Sequence, residues 1–240
     1  STGAGGHQLT RSGAEGDPIT FGSYPAGCAD QPILSGSRPI EGWTLHEDNI
    51  YVADLSAGDF PMGINQLFRD GQRLTMGRWP NLDAGDGGYA FVDSHTADSS
   101  QFVDNELPAV EWTGAIVHLK NIRWSMIDRQ VTGASGHTLT LNQGVSCLIS
   151  GWSDCVGWGY FINHHLNTLD QDGEWYYDAT ARKVYLVSAS GAPSGVEGSV
   201  ILEEDDTLRH GGIMLSDGSA TSHVVIDNFD SFTYNLVDYV

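Results

Sequence analysis

The segment from Gly173 to Val187 constrains this chain most, because it reads as strand, turn and strand. In Gly173-Glu174-Trp175-Tyr176-Tyr177-Asp178, an extended backbone puts Glu174, Tyr176 and Asp178 on one face. Trp175 and Tyr177 fall on the other. The polar run Ala179-Thr180-Ala181-Arg182-Lys183 turns the chain, and Val184-Tyr185-Leu186-Val187 returns as a strand of good β-formers. The pair is a β-hairpin arm. Thirty glycines in 240 residues exceed the usual share of about 7%, and favour many turns and short strands over helices.

Between about Ile50 and Ala189 the same grammar repeats. Ile64 to Met76 is two strands about Asp70-Gly71, a strong hairpin signal. Ile116–Lys120, Arg123–Ile127 and His137–Leu141 add strands, the last two separated by the turn-rich Thr132-Gly133-Ala134-Ser135-Gly136. This punctuation predicts an antiparallel sandwich or open barrel. Outside it lie Pro-initiated strands, Asp17–Phe21 and Gln31–Gly36. Val200–Leu202, Gly212–Leu215 and Ser222–Asn228 are further short strands with polar corners.

Those elements carry a resemblance. Trp158-Gly159-Tyr160-Phe161, Gly173–Asp178 with Tyr185-Leu186, and Gly77-Arg78-Trp79-Pro80-Asn81 resemble, in order and spacing, an all-β domain inserted near the start of secreted right-handed parallel β-helix proteins. These include enzymes similar to glycoside hydrolase family 141. The outer strands are similar to β-helix rungs, each of which buries its inner face by stacking on the next. The resemblance implies an all-β fold in three parts. Residues 1–55 are first rungs, 56–190 an inserted antiparallel β-domain, and 191–240 resumed rungs. It further implies a secreted, polysaccharide-active protein, with glycoside hydrolysis the leading reaction. A polysaccharide lyase and a non-catalytic carbohydrate-binding or structural module are the alternatives. With no capping segment before Val240, the chain is expected to be part of a longer protein, or to be completed by a second chain or copy at the open rung. Ser1, lacking a preceding Met or an apolar leader, gives the expectation of a removed segment before it.

A second likeness covers Val224–Val237, which closely resembles the opening strand and helix of class I glutamine amidotransferases. That chemistry needs a cysteine in a Gly-x-Cys-x-Gly elbow, and none of the three cysteines sits in one. A chance likeness within a rung and a composite sequence are the two readings of this stretch.

Charge narrows the partners. Thirty-one Asp and Glu face eleven Lys and Arg, a formal net charge of −20. Such a chain repels nucleic acid and anionic membranes, and no run approaches the ~20 apolar residues of a membrane span. Cys147 and Cys155 are eight residues apart, a spacing that permits a disulfide or two small buried thiols, with Cys28 left over.

Glycoside hydrolysis uses two carboxyl groups about the scissile bond. Asp227 and Asp230, with His210 in a neighbouring rung, are the carboxylate–histidine grouping available on rung segments, although Asp is also commonplace at turns. Trp79, Trp152, Trp158 and Trp175 are candidate sugar platforms, against the alternative that large aromatics anchor small β-cores. His164-His165 cannot both face one metal ion from a regular strand. Asp170–Glu174 and Asp83–Gly88 resemble half a calcium loop without its twelve-residue ligand pattern. No cofactor is expected, with calcium at these loops the one alternative.

Overall fold

The structure is a computed structural model that describes residues 7–8, 11–25, 28–29, 31, 33–149, 152–201, 213–214, 222–227 and 231–233. The chain is nearly all β. Among these residues the helical content is one four-residue turn, Gly85–Gly88, and a 3-10 turn, Leu166–Thr168. No helix among them is long and apolar enough to cross a membrane.

The chain divides into two compact units, one of residues 1–41, 55–73 and 194–240, the other of residues 42–54 and 74–193. In the first unit, three short strands near the start pair in parallel with three near the end. His7–Gln8 lies against Ile213–Met214, Ile19–Phe21 against Val224–Ile226, and Ile33–Ser35 against Ser231–Thr233. The pairs run in the same order along both segments. Two glycines allow the close approach. A Cβ on Gly13 would meet the His223 carbonyl oxygen at 2.5 Å, and one on Gly22 would meet that of Asp227 at 2.6 Å. The amidotransferase likeness implies a helix after its first strand, but Ser231–Thr233 is a strand, tied into a parallel pair.

An antiparallel sheet in the same unit orders Ser37–Pro39, Val196–Ser199, Leu67–Arg69 and Gln72–Arg73. Its last hairpin turns at Asp70-Gly71 with φ of 51° and 75°, as a two-residue turn with both φ positive requires. Val200 and Ile201 of the strand expected at Val200–Leu202 are not in a strand, which here spans Val196–Ser199, and Leu202 lies outside the described residues.

The second unit holds three sheets, the smallest being the antiparallel pair Leu148–Ile149 and Trp152–Ser153. Trp175–Asp178, Lys183–Val187, Ile50–Asp54 and Thr44–Glu47 form another, all antiparallel. Trp175 pairs with Leu186 and Tyr177 with Val184, so the hairpin has the register its alternation predicts. The largest sheet has eight strands. Its path runs Ala90–Phe91, Gly159–Asn163, Ile116–Ile122, Ser125–Ser135, Thr138–Leu141, Gln101–Val103 and Ser94–His95, with Arg78–Trp79 also on Gly159–Asn163. Two turns differ from the expected ones. The first hairpin turns at Arg123-Trp124, and the next at Gly136-His137, because a bulge between Val131 and Gly133 keeps Thr132–Ser135 in the ladder.

The inner face of this sheet builds the main core from Val117, Leu119, Tyr160, Ile162, Leu139 and Trp112, among others. Alternate residues of the same strands, His118, Lys120, Phe161 and Asn163, are only partly covered and form the outer face.

Candidate functional site

Of the rung residues expected to react, Asp227 is exposed, directly after the strand Val224–Ile226, and its backbone N–H donates to the Phe21 carbonyl at 2.9 Å. His210 and Asp230 lie outside the described residues.

The tryptophans divide. Trp175 is 2% exposed, and its indole N–H donates to the Leu74 carbonyl at 3.4 Å; Trp158 is 9% exposed. With both ring faces taken by protein, neither offers a platform to a sugar, which corrects that expectation. The alternation of the hairpin could not reveal this, because Glu174, on the opposite face from Trp175, is buried as well. Its carboxylate accepts the N–H groups of Asp170 and Gln171, both at 3.0 Å, and burial raises its pKa. Trp79 is half-buried, its ring 6.3 Å from Trp112 and 6.1 Å from Tyr160. The Trp152 side chain is outside the described set. Among the described side chains, the exposed tryptophan is one that sequence reading missed. Trp124, at the turn of the 116–135 hairpin, is 83% exposed.

The outer face of the eight-stranded sheet gathers polar and aromatic groups from four strands. Phe161 stands opposite His118 in register, and the rings stack with centroids 4.5 Å apart. The Arg78 guanidinium lies 4.0 Å from the Phe161 centroid, a cation–π contact. Arg78 also donates from Nε to the Pro80 carbonyl at 3.1 Å and from Nη2 to the Gly88 carbonyl. Burial lowers its pKa, opposed by the nearby Tyr89 and Glu174. His118 Nδ1 meets Asp128 Oδ1 at 2.6 Å and its Nε2 meets Asn163 Oδ1 at 2.8 Å. The same Asn163 oxygen lies 2.6 Å from His164 Nδ1. The His164 pKa is lowered by desolvation and then by the neighbouring His118, with Asp128 opposing. The two adjacent histidines diverge. His164 takes a left-handed φ of 54°, while His165 accepts the Asn167 N–H at 3.1 Å and starts the 3-10 turn.

A third grouping joins His95, Ser99 and Asp154 beside the Cys147–Cys155 disulfide, whose S–S distance is 2.04 Å. Ser99 Oγ is 3.0 Å from His95 Nδ1, and His95 Nε2 is 3.0 Å from Asp154 Oδ1. The set of residue types is that of a nucleophilic triad, but the hydrogen bonding is not. Nδ1 also faces the Thr96 carbonyl at 2.7 Å. A carbonyl only accepts, so Nδ1 carries a proton and cannot take one from Ser99. Ser99 is also 7% exposed, leaving no room for an attacked substrate. The grouping is therefore a latch that ties the end of the strand Ser94–His95 to the loops carrying Ser99 and Asp154.

The His95 pKa is raised, first by the Thr96 carbonyl and then by Asp154, against some desolvation. That of Asp154 is lowered, first by the Val156 N–H and then by His95. A raised histidine stabilises the fold fully below its ordinary value of 6.5, and that contribution is lost as pH rises through the higher folded value. A lowered Asp contributes above its ordinary 3.8 and loses that as pH falls through the lower folded value. The latch is thus tightest between these limits. In an NMR titration of the His95 ring, Asp154→Asn will lower the midpoint while the Thr96 bond persists. An unchanged midpoint would show that the ion pair does not form in solution.

The acidic loops are occupied by protein donors. Asp170 accepts from Asn81 Nδ2 at 2.8 Å, Asp83 from Gln171 Nε2 at 3.1 Å, and Asp172 from the Ala189 N–H at 2.8 Å. Among the described residues no three His, Cys, Asp or Glu side chains are grouped to hold a metal ion.

No protein-family model matches this sequence, and no curated protein does. A solved structure named "Glycoside hydrolase" is similar in fold, with a TM-score of 0.62 at 19% identity. The similarity covers 92% of this chain and 39% of that one, so the chain spans about two fifths of that protein's length and has a glycoside hydrolase-like fold.

Proposed function

We propose that this chain is part of a secreted, polysaccharide-active protein that hydrolyses glycosidic bonds through paired carboxylates. The observation that carries the reading is the fold similarity to a glycoside hydrolase across 92% of the chain. Three parallel pairs in matching order support a further step, that residues 7–35 and 213–233 are two stacked coils of a β-helix. In that reading an insertion separates the coils. It is expected at residues 56–190, and the strands Thr44–Glu47 and Ile50–Asp54, which share a sheet with Lys183–Val187, extend it at the start. The Cys147–Cys155 bridge supports an oxidising, extracytoplasmic setting.

Asp227 and Asp230 are the first residues to exchange, followed by His210. In hydrolysis one carboxyl protonates the leaving oxygen while the other, ionised, attacks or activates water. Incubation with a panel of plant and marine polysaccharides, with products weighed by mass spectrometry, tests this. Oligosaccharides gaining one water per cleavage are expected, with activity falling at least about a hundredfold in Asp227→Asn or Asp230→Asn. Products with an unsaturated end and no added water would make the protein a lyase. No products at all would sink catalysis by this chain. A second reading, a non-catalytic carbohydrate-binding module, is favoured by the exposure of Trp124.

A further inference from the structure

The acidity of this chain is unevenly spread. From Trp112 to Ser153 the sequence holds three cations, Lys120, Arg123 and Arg129, and one carboxylate, Asp128; the rest holds eight cations against thirty carboxylates. The segment forms the hairpin Ile116–Ile122/Ser125–Ser135 and the strand beside it. On its outer face Lys120 pairs in register with Met126. Arg123 and Trp124 make the hairpin turn, both exposed. Neither Lys120 nor Arg123 has an ion-pair partner among the described residues. Asp128, the one acid of the segment, bonds His118 on that face.

Tyr89 lies across Gly159 so closely that a Cβ there would sit 3.1 Å from its ring, and the Tyr89 hydroxyl lies 4.0 Å from Met126 Sδ. Lys120, Met126 and Tyr89 thus share one neighbourhood of the outer face, with Arg123 and Trp124 at the hairpin end.

We propose that this hairpin docks an anionic polysaccharide, a polyuronate in the first instance. Lys120 and Arg123 would pair with its carboxylates while the Trp124 ring packs against the C–H face of a sugar. Charge complementarity argues for this occupant: the patch is basic on a chain that otherwise repels polyanions. Nucleic acid fits less well. Duplex DNA carries one charge per ~1.7 Å of axis, so a net charge of −20 repels it more strongly than a polyuronate, which has one carboxylate per sugar. A polyuronate also offers C–H faces to the Trp124 ring. The proposal rests on the polysaccharide-active reading and supplies its substrate class.

Affinity electrophoresis of the full chain in gels containing sodium polygalacturonate, neutral hydroxyethyl cellulose or duplex DNA tests it. Polygalacturonate is expected to retard the protein, with cellulose and DNA much weaker. Lys120→Gln/Arg123→Gln and, separately, Trp124→Ala are each expected to weaken that retardation about tenfold in dissociation constant, or about 1.4 kcal/mol. Both variants change exposed or half-exposed positions, and an unchanged melting curve confirms that they fold. Retardation by polygalacturonate that neither variant weakens would overturn the proposal. Retardation by cellulose alone would overturn it while leaving the polysaccharide-active reading standing. Retardation by none of the polymers would remove the proposal, and the panel of product assays would then decide the broader reading by itself. Stronger retardation by DNA would reassign the patch to nucleic acid.

Discussion

Trp175→Ala will destabilise the protein by about 3–5 kcal/mol, the usual cost of removing a large aromatic from a well-packed interior. Three ties hold Trp175 in place. Its ring is 2% exposed, its backbone N–H donates to the Thr75 carbonyl at 3.2 Å, and its indole N–H donates to Leu74. Alanine would leave a void beside Leu186, its register partner, which is itself fully buried. The measurement is a thermal or urea melt, with Tm expected to fall by roughly 6–20 °C. A wild-type melt combined with lost polysaccharide binding would return Trp175 to the role of a sugar platform.

Breaking the Cys147–Cys155 bridge has the second large effect. Closing so short a loop removes denatured-state entropy worth about 2–3 kcal/mol. Both cysteines are buried, so paired serine replacements put two hydroxyls into the interior, where each needs a hydrogen bond to offset its desolvation. The double variant Cys147→Ser/Cys155→Ser is expected to melt below wild type and to ignore reductant, while wild type shifts down on addition of dithiothreitol. If wild type is also indifferent to reductant under conditions that reduce the bond, the bridge contributes nothing to stability.

The hairpins were legible because their information is local. Asp70-Gly71 specifies its turn through two positive φ angles, and Trp175–Asp178 pairs with Lys183–Val187 as period-two alternation requires. What alternation leaves open is which face is inside. Glu174 and Trp175 are adjacent and both buried, since Glu174 lies just before the strand and turns its carboxylate onto the N–H groups of Asp170 and Gln171. The outer-face grouping was illegible for another reason. Arg78, His118, Asp128 and Phe161 come from four strands, and only the pairing register places His118 opposite both Phe161 and Asp128. His95 and Asp154 likewise meet across 59 residues. The charge asymmetry about Lys120 and Arg123 was available in the sequence, but a chain-wide sum hides it.

The three parallel pairs also dictate when parts of the molecule can form. His7 finds its partner at Ile213, so during synthesis at about 5–20 residues per second the first strands wait for roughly 10–40 s. Throughout that interval their edges are open to the wrong neighbour. The antiparallel pairing of Ser37–Pro39 with Val196–Ser199 shortens the remaining search. Once it zips, Ile33–Ser35 and the segment that follows Ser199 are joined through a loop of tens of residues rather than nearly two hundred, which lowers the closure entropy. That short sheet is a clasp, and newly made chains that fail to fasten it are the ones exposed to misassembly.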